Sequence, residues 1–392
     1  MSKPLLQSVN EQYFFQLLDW RKLSYQRVGC LARVSGFSQY NHLIDINSIF
    51  STLPFGDPID RTGTVKGLLN FAMPRPWQVP THSQTIHNVF ESRVKYYTDK
   101  NCCVNLFWSG GTDSTAMVVS FLKNAKDTSQ LRLIYSPYSL YENKEFFDFI
   151  TKTFPNLHTL DISGDVYLNH DFDGIVVTGH GGDEFTASLD QSFFENVGAD
   201  SLQQDWRSFF QSKFTDQSLM DFCEEYFARA GRPINTLLEA RWWFYTAAKS
   251  HVFGSRDISF MFGQSDLTLD RFSSFFDCEE FESYMWHNTD KIIEPGGDYK
   301  TYKKFLRQYI YEFDKNTNSL HNNGKVNSSQ FQRYRWKKME LLDQRWLFIL
   351  DDATVVRTKN LPLLSQKEFN NTYGTSLDYL FNMPDQTQCA LA

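Results

Sequence analysis

Short apolar runs alternate with amphipathic segments through the first half of the chain. Four runs have the length of buried β-strands: residues 103–108, 131–135, 157–162 and 175–177. Three segments repeat their apolar residues at helical spacing: residues 87–98, 116–121 and 143–154. The last segment ends before Pro155, as expected of a helix, because proline cannot continue the backbone hydrogen bonds. This alternation predicts an α/β fold with a parallel sheet and helices on both of its faces.

The first predicted strand ends in a glycine-rich turn, residues 109–114 (SGGTDS), and the next helix begins there. Two glycines let the backbone approach a ligand closely, and a helix start offers unpaired N–H groups that favour phosphate. Asp113 can hold Mg²⁺ against the phosphates. A plain turn capped by Asp113 and Ser114 is the simpler alternative, but it does not account for the whole six-residue pattern. The turn therefore predicts a nucleotide site, and the candidate phosphate-binding residues are Ser109, Gly110, Gly111, Thr112, Asp113, Ser114 and Thr115.

A second glycine-rich turn follows the apolar run at residues 175–177. Residues 178–185 read TGHGGDEF and again combine glycines with acids. Both turns lie at the carboxyl ends of predicted parallel strands, where such sheets bind ligands, so they can converge on one nucleotide. An ordinary surface turn is the alternative for the second segment taken alone.

Residues 109–114 and 178–184 resemble, in this order, the SGGxDS loop and the T/S-G-x-G-x-D-E turn of the asparagine synthetase branch of the PP-loop ATP pyrophosphatases. Members of this superfamily cleave ATP between its α and β phosphates and transfer AMP to a substrate. The resemblance implies a HUP-like sheet, Mg²⁺ held by Asp113 and Asp183, and ATP beside Thr178 and Gly179. The first turn is not a Walker loop, because the Gly-Lys-Ser/Thr ending is missing.

The resemblance extends more weakly along the chain. Residues 303–307 (KKFLR) resemble the family's K-Y-x-L-R element, which makes Lys303 the candidate for stabilising charge in the transition state. A solvated basic helix face is the equal alternative for this lysine. Glu184 is expected to orient the metal shell. His180 stands where the family carries an acid, and it is either a general base towards an attacking amine or a simple turn residue.

The resemblance also predicts the domain boundaries of the chain. Residues 85–320 form the predicted ATP-binding domain, residues 1–84 a small N-terminal extension, and residues 321–392 a helical C-terminal extension. The family's glutaminase domain uses a cysteine at its amino terminus, whereas here residue two is Ser2, and 84 residues are too few for that domain. The extension is therefore expected to be a remnant of that domain or a docking surface. Nitrogen is expected from free ammonia, an amine, or a separate amidotransferase or acceptor protein.

Charge, hydropathy and cysteine pattern restrict the kinds of partner and cofactor expected of this protein. A net charge of −7 argues against broad nucleic-acid binding, and no apolar run is long enough to span a membrane. The six cysteines form no C-x-x-C pair, which disfavours zinc and cysteine-relay chemistry and fits a reduced, cytoplasmic protein. The mixed basic and aromatic residues 333–338 suit an RNA contact less well than the polar side of a helix that continues through residues 346–350.

One literal match indicates a different chemistry. Residues 181–185 spell GGDEF, the signature of diguanylate cyclases, which carry it at a β-hairpin turn. Residues 186–190 make a poor second strand for a hairpin, and the upstream glycine turn has no place in a cyclase. We interpret the match as coincidence.

The expected function is an ATP-dependent, AMP-forming ligase that requires Mg²⁺. It would activate a small-molecule carboxylate as an acyl-adenylate and form an amide with ammonia or an amine. Two alternatives stay open: a PP-loop enzyme that adenylates a nucleobase or tRNA, and a non-catalytic partner protein that binds a nucleotide.

Overall fold

The computed structural model describes residues 15–16, 38–50, 60–65, 76–162, 172–189, 193–194, 197–249, 271–320, 345–349 and 355–359. Its strands are β1 (Phe15–Gln16), β2 (Val104–Phe107), β3 (Leu131–Tyr135), β4 (His158–Asp161), β5 (Ile175–Thr178), β6 (Phe272–Ser274), β7 (Arg345–Ile349) and β8 (Val355–Lys359). Its α-helices are α1 (Ser38–Phe50), α2 (Ile86–Thr98), α3 (Thr112–Asn124), α4 (Pro137–Thr153), α5 (Gly182–Phe185), α6 (Trp206–Gln211), α7 (Gln217–Ala228), α8 (Leu237–Phe244), α9 (Glu279–His287) and α10 (Lys304–Asp314).

The chain divides into two compact units. One takes in the described residues within 1–78, 204–260 and 332–392, and the other those within 79–203 and 261–331. The sequence did not indicate that residues 204–260 group with the first unit. All the candidate site residues lie in the second unit.

The second unit is built on a five-stranded sheet in the order β4-β3-β2-β5-β6, in which every pairing is parallel. The four residues of β2 and the four of β5 are all buried, as expected of strands whose two faces are both covered. The predicted α/β class with a parallel sheet and flanking helices is therefore confirmed. The predicted strands and helices of residues 87–177 all form within a few residues of their expected bounds.

Helix α4 begins earlier than the predicted segment 143–154. Pro137 occupies its first turn, where the missing N–H costs nothing, and the Oγ atom of Ser139 accepts a hydrogen bond from the backbone N–H of Ser136 at 3.2 Å. Asn143 has non-helical angles, so a kink joins a short first segment to the predicted helix. Apolar periodicity did not reveal the first segment, because its residues are mostly polar or exposed tyrosine.

Aromatic rings fill the space between β6 and the helices near it. The ring of Phe90 on α2 lies within 4.9–6.2 Å, centroid to centroid, of four other rings: Phe275, Phe276, Phe281 and Tyr309. The guanidinium of Arg93 donates to the carbonyl oxygens of Phe275 and Ser274 at 2.9 Å each. These contacts fix the end of β6 against α2 and give a role to part of the chain's 36 phenylalanines.

The first unit contains α1, α6, α7 and α8, and a three-stranded antiparallel sheet in the order β1-β7-β8. Strands β7 and β8 lie where the sequence predicted a helix through residues 346–350, and the rest of the predicted extension, residues 321–392, lies outside the described residues. The aromatic and β-branched residues of these strands, such as Trp346, Ile349 and Val355, explain the difference, because these residue types favour strands. Residues 333–338 lie outside the described residues.

Gly174, which precedes β5, gives a test of the sheet. Its φ is +82°, and a Cβ atom there would lie 2.0 Å from the carbonyl oxygen of Cys103, the acceptor of the Ile175 N–H. We expect Gly174→Ala to lower the free energy of unfolding by roughly 3–5 kcal/mol, because backbone strain adds to a clash with backbone. Gly296→Ala is the matched control, with φ +69° but open space around its Cβ, and it should cost only about 1 kcal/mol. Equal losses in urea unfolding of the two variants would contradict this account.

Candidate active site

The two glycine turns meet at the point where the strand order of the sheet changes direction. Strands β2 and β5 are neighbours, the chain runs from β2 outward to β3 and β4, and it then returns to β5 and β6 on the other side. Open parallel sheets bind ligands at such a switch point, outside the carboxyl ends of the strands. The first turn follows β2 and the second follows β5, so both turns lie there.

The first turn is a tight loop held by its own hydroxyl groups. Ser109 and Ser114 place their Oγ atoms 2.9 Å apart, and the Ser114 Oγ accepts from the Ser109 N–H at 3.1 Å. Gly110 has φ +86°, and a Cβ atom there would lie 2.6 Å from the carbonyl oxygen of Ser139. Thr115 is buried, and its hydroxyl accepts from the indole N–H of Trp108 at 2.9 Å, which gives it a structural partner. The loop therefore presents the start of α3, from Thr112 onward, to the carboxyl edge of the sheet.

The second turn packs directly on the first. A Cβ atom at Gly179 would lie 2.6 Å from the Cα of Ser114, and one at Gly182 would lie 2.6 Å from the Cγ of Asp113. Only glycine permits this approach at either position. Thr178 is buried, and its hydroxyl accepts from the backbone N–H of His180 at 3.4 Å. The structure thus brings together the residues of the two predicted motifs.

Lys303 joins the acids of the two turns. Its Nζ lies 2.7 and 2.6 Å from the two carboxylate oxygens of Asp113 and 2.5 Å from Oδ1 of Asp183. The exposed fraction of the side chain is 5% for the lysine, 16% for Asp113 and 36% for Asp183. Lys303 is therefore part of the site and not of a solvated helix face. Burial by itself would lower the pKa of Lys303, but the two carboxylates outweigh that effect and hold the pKa well above its ordinary value.

Lys303 has an unusual backbone conformation at the place where its ammonium contacts the two carboxylates. Its φ of +59° lies in the left-handed region, immediately before α10, and its N–H donates to the carbonyl oxygen of Ile292 at 3.0 Å. The preceding Tyr302 places its hydroxyl 2.8 Å from that of Thr186, just after the second turn. A left-handed angle at a non-glycine residue costs about 1–3 kcal/mol and persists only where the surroundings impose it. Strain of this kind is typical of functional sites.

Asp113 and Asp183 suit a shared metal ion. Because both carboxylates reach one ammonium nitrogen at 2.5–2.7 Å, they are close enough to bind one cation together. Two carboxylates, completed by water and phosphate oxygens, make the oxygen shell that Mg²⁺ prefers. No group of three or more His, Cys, Asp and Glu side chains with metal-binding geometry occurs among the described residues. Asp113 and Asp183 would therefore supply two of the oxygen ligands of such an ion, and other groups would supply the rest.

Glu184 is buried beside this pair. Only 1% of the residue is exposed, and its Oε2 finds no hydrogen-bond partner among the described residues. Burial, and then the negative charge of Asp183, raise its pKa well above the ordinary value of 4.5. Burial therefore favours the protonated, uncharged form of this carboxyl. His180 lies half-buried in the turn itself, and its role as a base stays a prediction.

Burial of Glu184 predicts a pH-dependent effect of Glu184→Gln. The folded state binds the carboxyl proton more tightly than the unfolded state, so this group's contribution to stability falls as pH rises above 4.5. The fall is about 1.4 kcal/mol per pH unit until the folded-state pKa is passed. Glutamine does not titrate, and the neighbouring Asp183, Lys303 and Asp113 are common to both proteins. In urea unfolding, the free energy of unfolding of the variant relative to that of the wild type should rise between pH 4.5 and 8. A difference that does not change with pH would contradict the raised pKa of Glu184.

Two other sequence motifs do not form the catalytic elements that they resemble. Residues 270–277 faintly resemble the family's E-x-R-x-P-F-L-D stretch, but Arg271 donates to the carbonyl oxygen of Gly174 at 2.9 Å, at the amino end of β5. That is the opposite edge of the sheet from the site. The GGDEF string forms the single turn of α5 after a strand of a parallel sheet, and not the hairpin turn of a cyclase.

The sequence did not single out two residues near this site. Thr186 is buried and carries the contact to Tyr302 described above. Arg307 is buried one helical turn beyond Lys303. Arg307 belongs to the same KKFLR segment as Lys303, and its backbone N–H donates to the carbonyl oxygen of Lys303 at 3.2 Å.

Comparison with known proteins gives no assignment: no protein-family model and no curated protein sequence matches this chain. Among the helices that the structure describes, none combines the length and the apolar character needed to cross a membrane.

Proposed function

We propose that this chain is a Mg²⁺-dependent ligase that cleaves ATP to AMP and pyrophosphate and forms an amide. The observation that supports it most is the convergence of Asp113, Asp183 and Lys303 between two glycine turns at the switch point of a parallel sheet. The order and spacing of the two motifs agree with the PP-loop resemblance.

The first turn would bind the pyrophosphate part of ATP. The backbone N–H groups at the start of α3 supply donors and a partial positive charge. The hydroxyls of Ser109, Thr112 and Ser114 lie in the same loop and add further donors. Asp113 and Asp183 would hold the Mg²⁺ ion, which neutralises charge on the departing pyrophosphate when bound.

Lys303 would then change partners. Its ammonium, which contacts the two carboxylates that would hold the metal, would pair with phosphate oxygens of the bound nucleotide. Lys303 would in this way stabilise the negative charge that develops as the bond to the pyrophosphate breaks. The left-handed backbone of Lys303 holds the ammonium at this place before the substrate arrives.

The proposed reaction consists of two nucleophilic displacement steps. An oxygen of the substrate carboxylate attacks the α-phosphorus, the bond to the bridging oxygen breaks, and pyrophosphate leaves. Ammonia or an amine then attacks the acyl carbon, AMP leaves, and the nitrogen loses a proton, for which His180 is the candidate acceptor. Binding both substrates beside one nucleotide makes each step nearly unimolecular. The partners are a small-molecule carboxylate and a nitrogen source, either free or delivered by a separate amidotransferase or acceptor protein.

A nucleotide product analysis tests this function. Purified protein is incubated with Mg²⁺, ATP or GTP, pooled carboxylic acids including amino acids, and ammonium, and the products are resolved by chromatography and mass spectrometry. The expected result is AMP with an equal amount of pyrophosphate. ADP with phosphate would contradict the proposal, and a cyclic dinucleotide from GTP would show that the GGDEF string is functional.

A further inference from the structure

Arg307 is a buried cation that the proposed reaction has not yet used. It lies near the start of α10, where its backbone N–H donates to the carbonyl oxygen of Lys303 at 3.2 Å, and only 3% of it is exposed. Its Nη1 donates to the carbonyl oxygen of Lys300, which fixes the plane of the guanidinium. Its Nε is buried and finds no acceptor in the part of the chain that the structure describes. A buried donor without an acceptor is costly and calls for a specific reason.

The charge of Arg307 is also incompletely compensated. Burial lowers its pKa below the ordinary value, and the opposing effects of Tyr299, Tyr302 and Asp113 do not restore it. Lys303 shows the reverse balance, because its ammonium contacts both carboxylates of the site directly. Lys303 therefore has two carboxylate partners, whereas the Nε of Arg307 has no acceptor among the described residues. A buried guanidinium in this condition favours an arriving anion.

The position of Arg307 relates this anion to the nucleotide site. Helix α10 packs against α3, the helix whose amino end forms the first glycine turn. Asp113, in the first turn of α3, is bound by the ammonium of Lys303, whose carbonyl oxygen accepts from the backbone N–H of Arg307 at 3.2 Å. An anion that enters between the glycine turn and α10 would meet both basic side chains.

We propose that Arg307 is a phosphate-binding residue of this site, which donates through Nε to an oxygen of the pyrophosphate part of ATP. This assignment rests on the proposed function and adds a second basic group to it. The two basic residues would then act differently on the phosphate. Lys303 would move to it from the carboxylates, while Arg307 is already oriented by the carbonyl of Lys300. The planar guanidinium suits phosphate oxygens better than a second ammonium would.

The test is the affinity for inorganic pyrophosphate in the presence of Mg²⁺, measured by titration calorimetry on the full chain. Arg307→Met should bind about ten- to a hundredfold more weakly than the wild type, because it loses a charge-assisted hydrogen bond. Arg307→Lys, which keeps the charge without the fork, should lose about tenfold. Lys304→Met is the matched control: this neighbour on the same helix is exposed and pairs with Glu294, so its affinity should stay within about twofold of the wild type.

The outcomes separate this assignment from the proposed function. If the wild type binds pyrophosphate and Arg307→Met binds it equally well, Arg307 is not a phosphate ligand, while the proposed function stands. If the wild type does not bind pyrophosphate, the proposed function fails and the assignment fails with it. Circular dichroism establishes that the variants are folded. Should Arg307→Met not fold, Arg307→Lys decides, and an affinity equal to that of the wild type would overturn the assignment.

Discussion

Asp113→Ala is expected to reduce AMP formation by about a thousandfold or more, since a metal ion contributes several kcal/mol of charge stabilisation and each 1.36 kcal/mol is a tenfold change in rate. Asp113 lies at the start of α3 and shares Lys303 with Asp183. Its loss removes one of the two carboxylates that would hold Mg²⁺. It also leaves Lys303 paired with Asp183 alone, so the site loses charge balance together with a ligand.

The rate is measured as AMP released per enzyme under saturating Mg²⁺ and ATP. Asp161→Ala is the matched control, because Asp161 ends β4 at the same carboxyl edge of the sheet, is exposed, and lies two strands away from β2. The control should retain wild-type activity. Similar rates for Asp113→Ala and Asp161→Ala would contradict a catalytic role for the two-carboxylate site.

Gly179→Ala should lower the rate by at least about a hundredfold, the typical cost of displacing a catalytic group by 1 Å. The added Cβ would lie 2.6 Å from the Cα and 2.7 Å from the backbone nitrogen of Ser114. These atoms belong to the first turn of α3 and cannot rotate away as a side chain would. The two glycine turns must therefore separate, which moves Asp113 away from Asp183 and Lys303.

Gly181→Ala separates this effect from simple backbone strain. Gly181 has φ +86°, but a Cβ there would meet no heavy atom closer than 3.5 Å. This variant should lose about 1–2 kcal/mol of stability through the left-handed angle and keep most of its activity. If both variants lost activity only in proportion to their loss of stability, the close approach of the two turns would not matter for catalysis.

The parts of the site that are local in the sequence could be predicted from it. A strand followed by glycines and a helix is written in consecutive residues, and both turns formed where residues 109–114 and 178–184 placed them. The parallel sheet followed from the alternation of strands and helices. Each of these predictions depends on short-range patterns, which the backbone obeys largely without help from the rest of the chain.

Features that depend on distant contacts were harder to predict. Lys303 lies 190 residues from Asp113 along the chain, and only the resemblance of residues 303–307 to a family element drew attention to it. Its shared contact with two carboxylates, and the burial of Glu184 and Arg307, arise from packing that no local pattern records. Strand β7 likewise pairs with the distant β1 as well as with the nearby β8, and the pairing with β1 is not visible in the local sequence.

The position of Lys303 has a consequence for metal binding. The ammonium contacts the oxygens of Asp113 and Asp183 that the proposed Mg²⁺ ion would use, so the two cations would compete for them. In the proposed function, the phosphates of ATP would offer the lysine a new partner and supply further oxygen ligands to the metal. Metal and nucleotide are therefore expected to bind together and not one after the other.

The most direct test of the central claim is calorimetric titration of the protein with α,β-methylene ATP, which cannot be cleaved between its α and β phosphates. We predict that the analogue binds in Mg²⁺, that chelation of the metal weakens binding sharply, and that Asp113→Asn and Asp183→Asn each abolish the effect of the metal. Binding that is unchanged by the metal and by both substitutions, or no binding by the wild type, would contradict a Mg²⁺–ATP site between the two glycine turns.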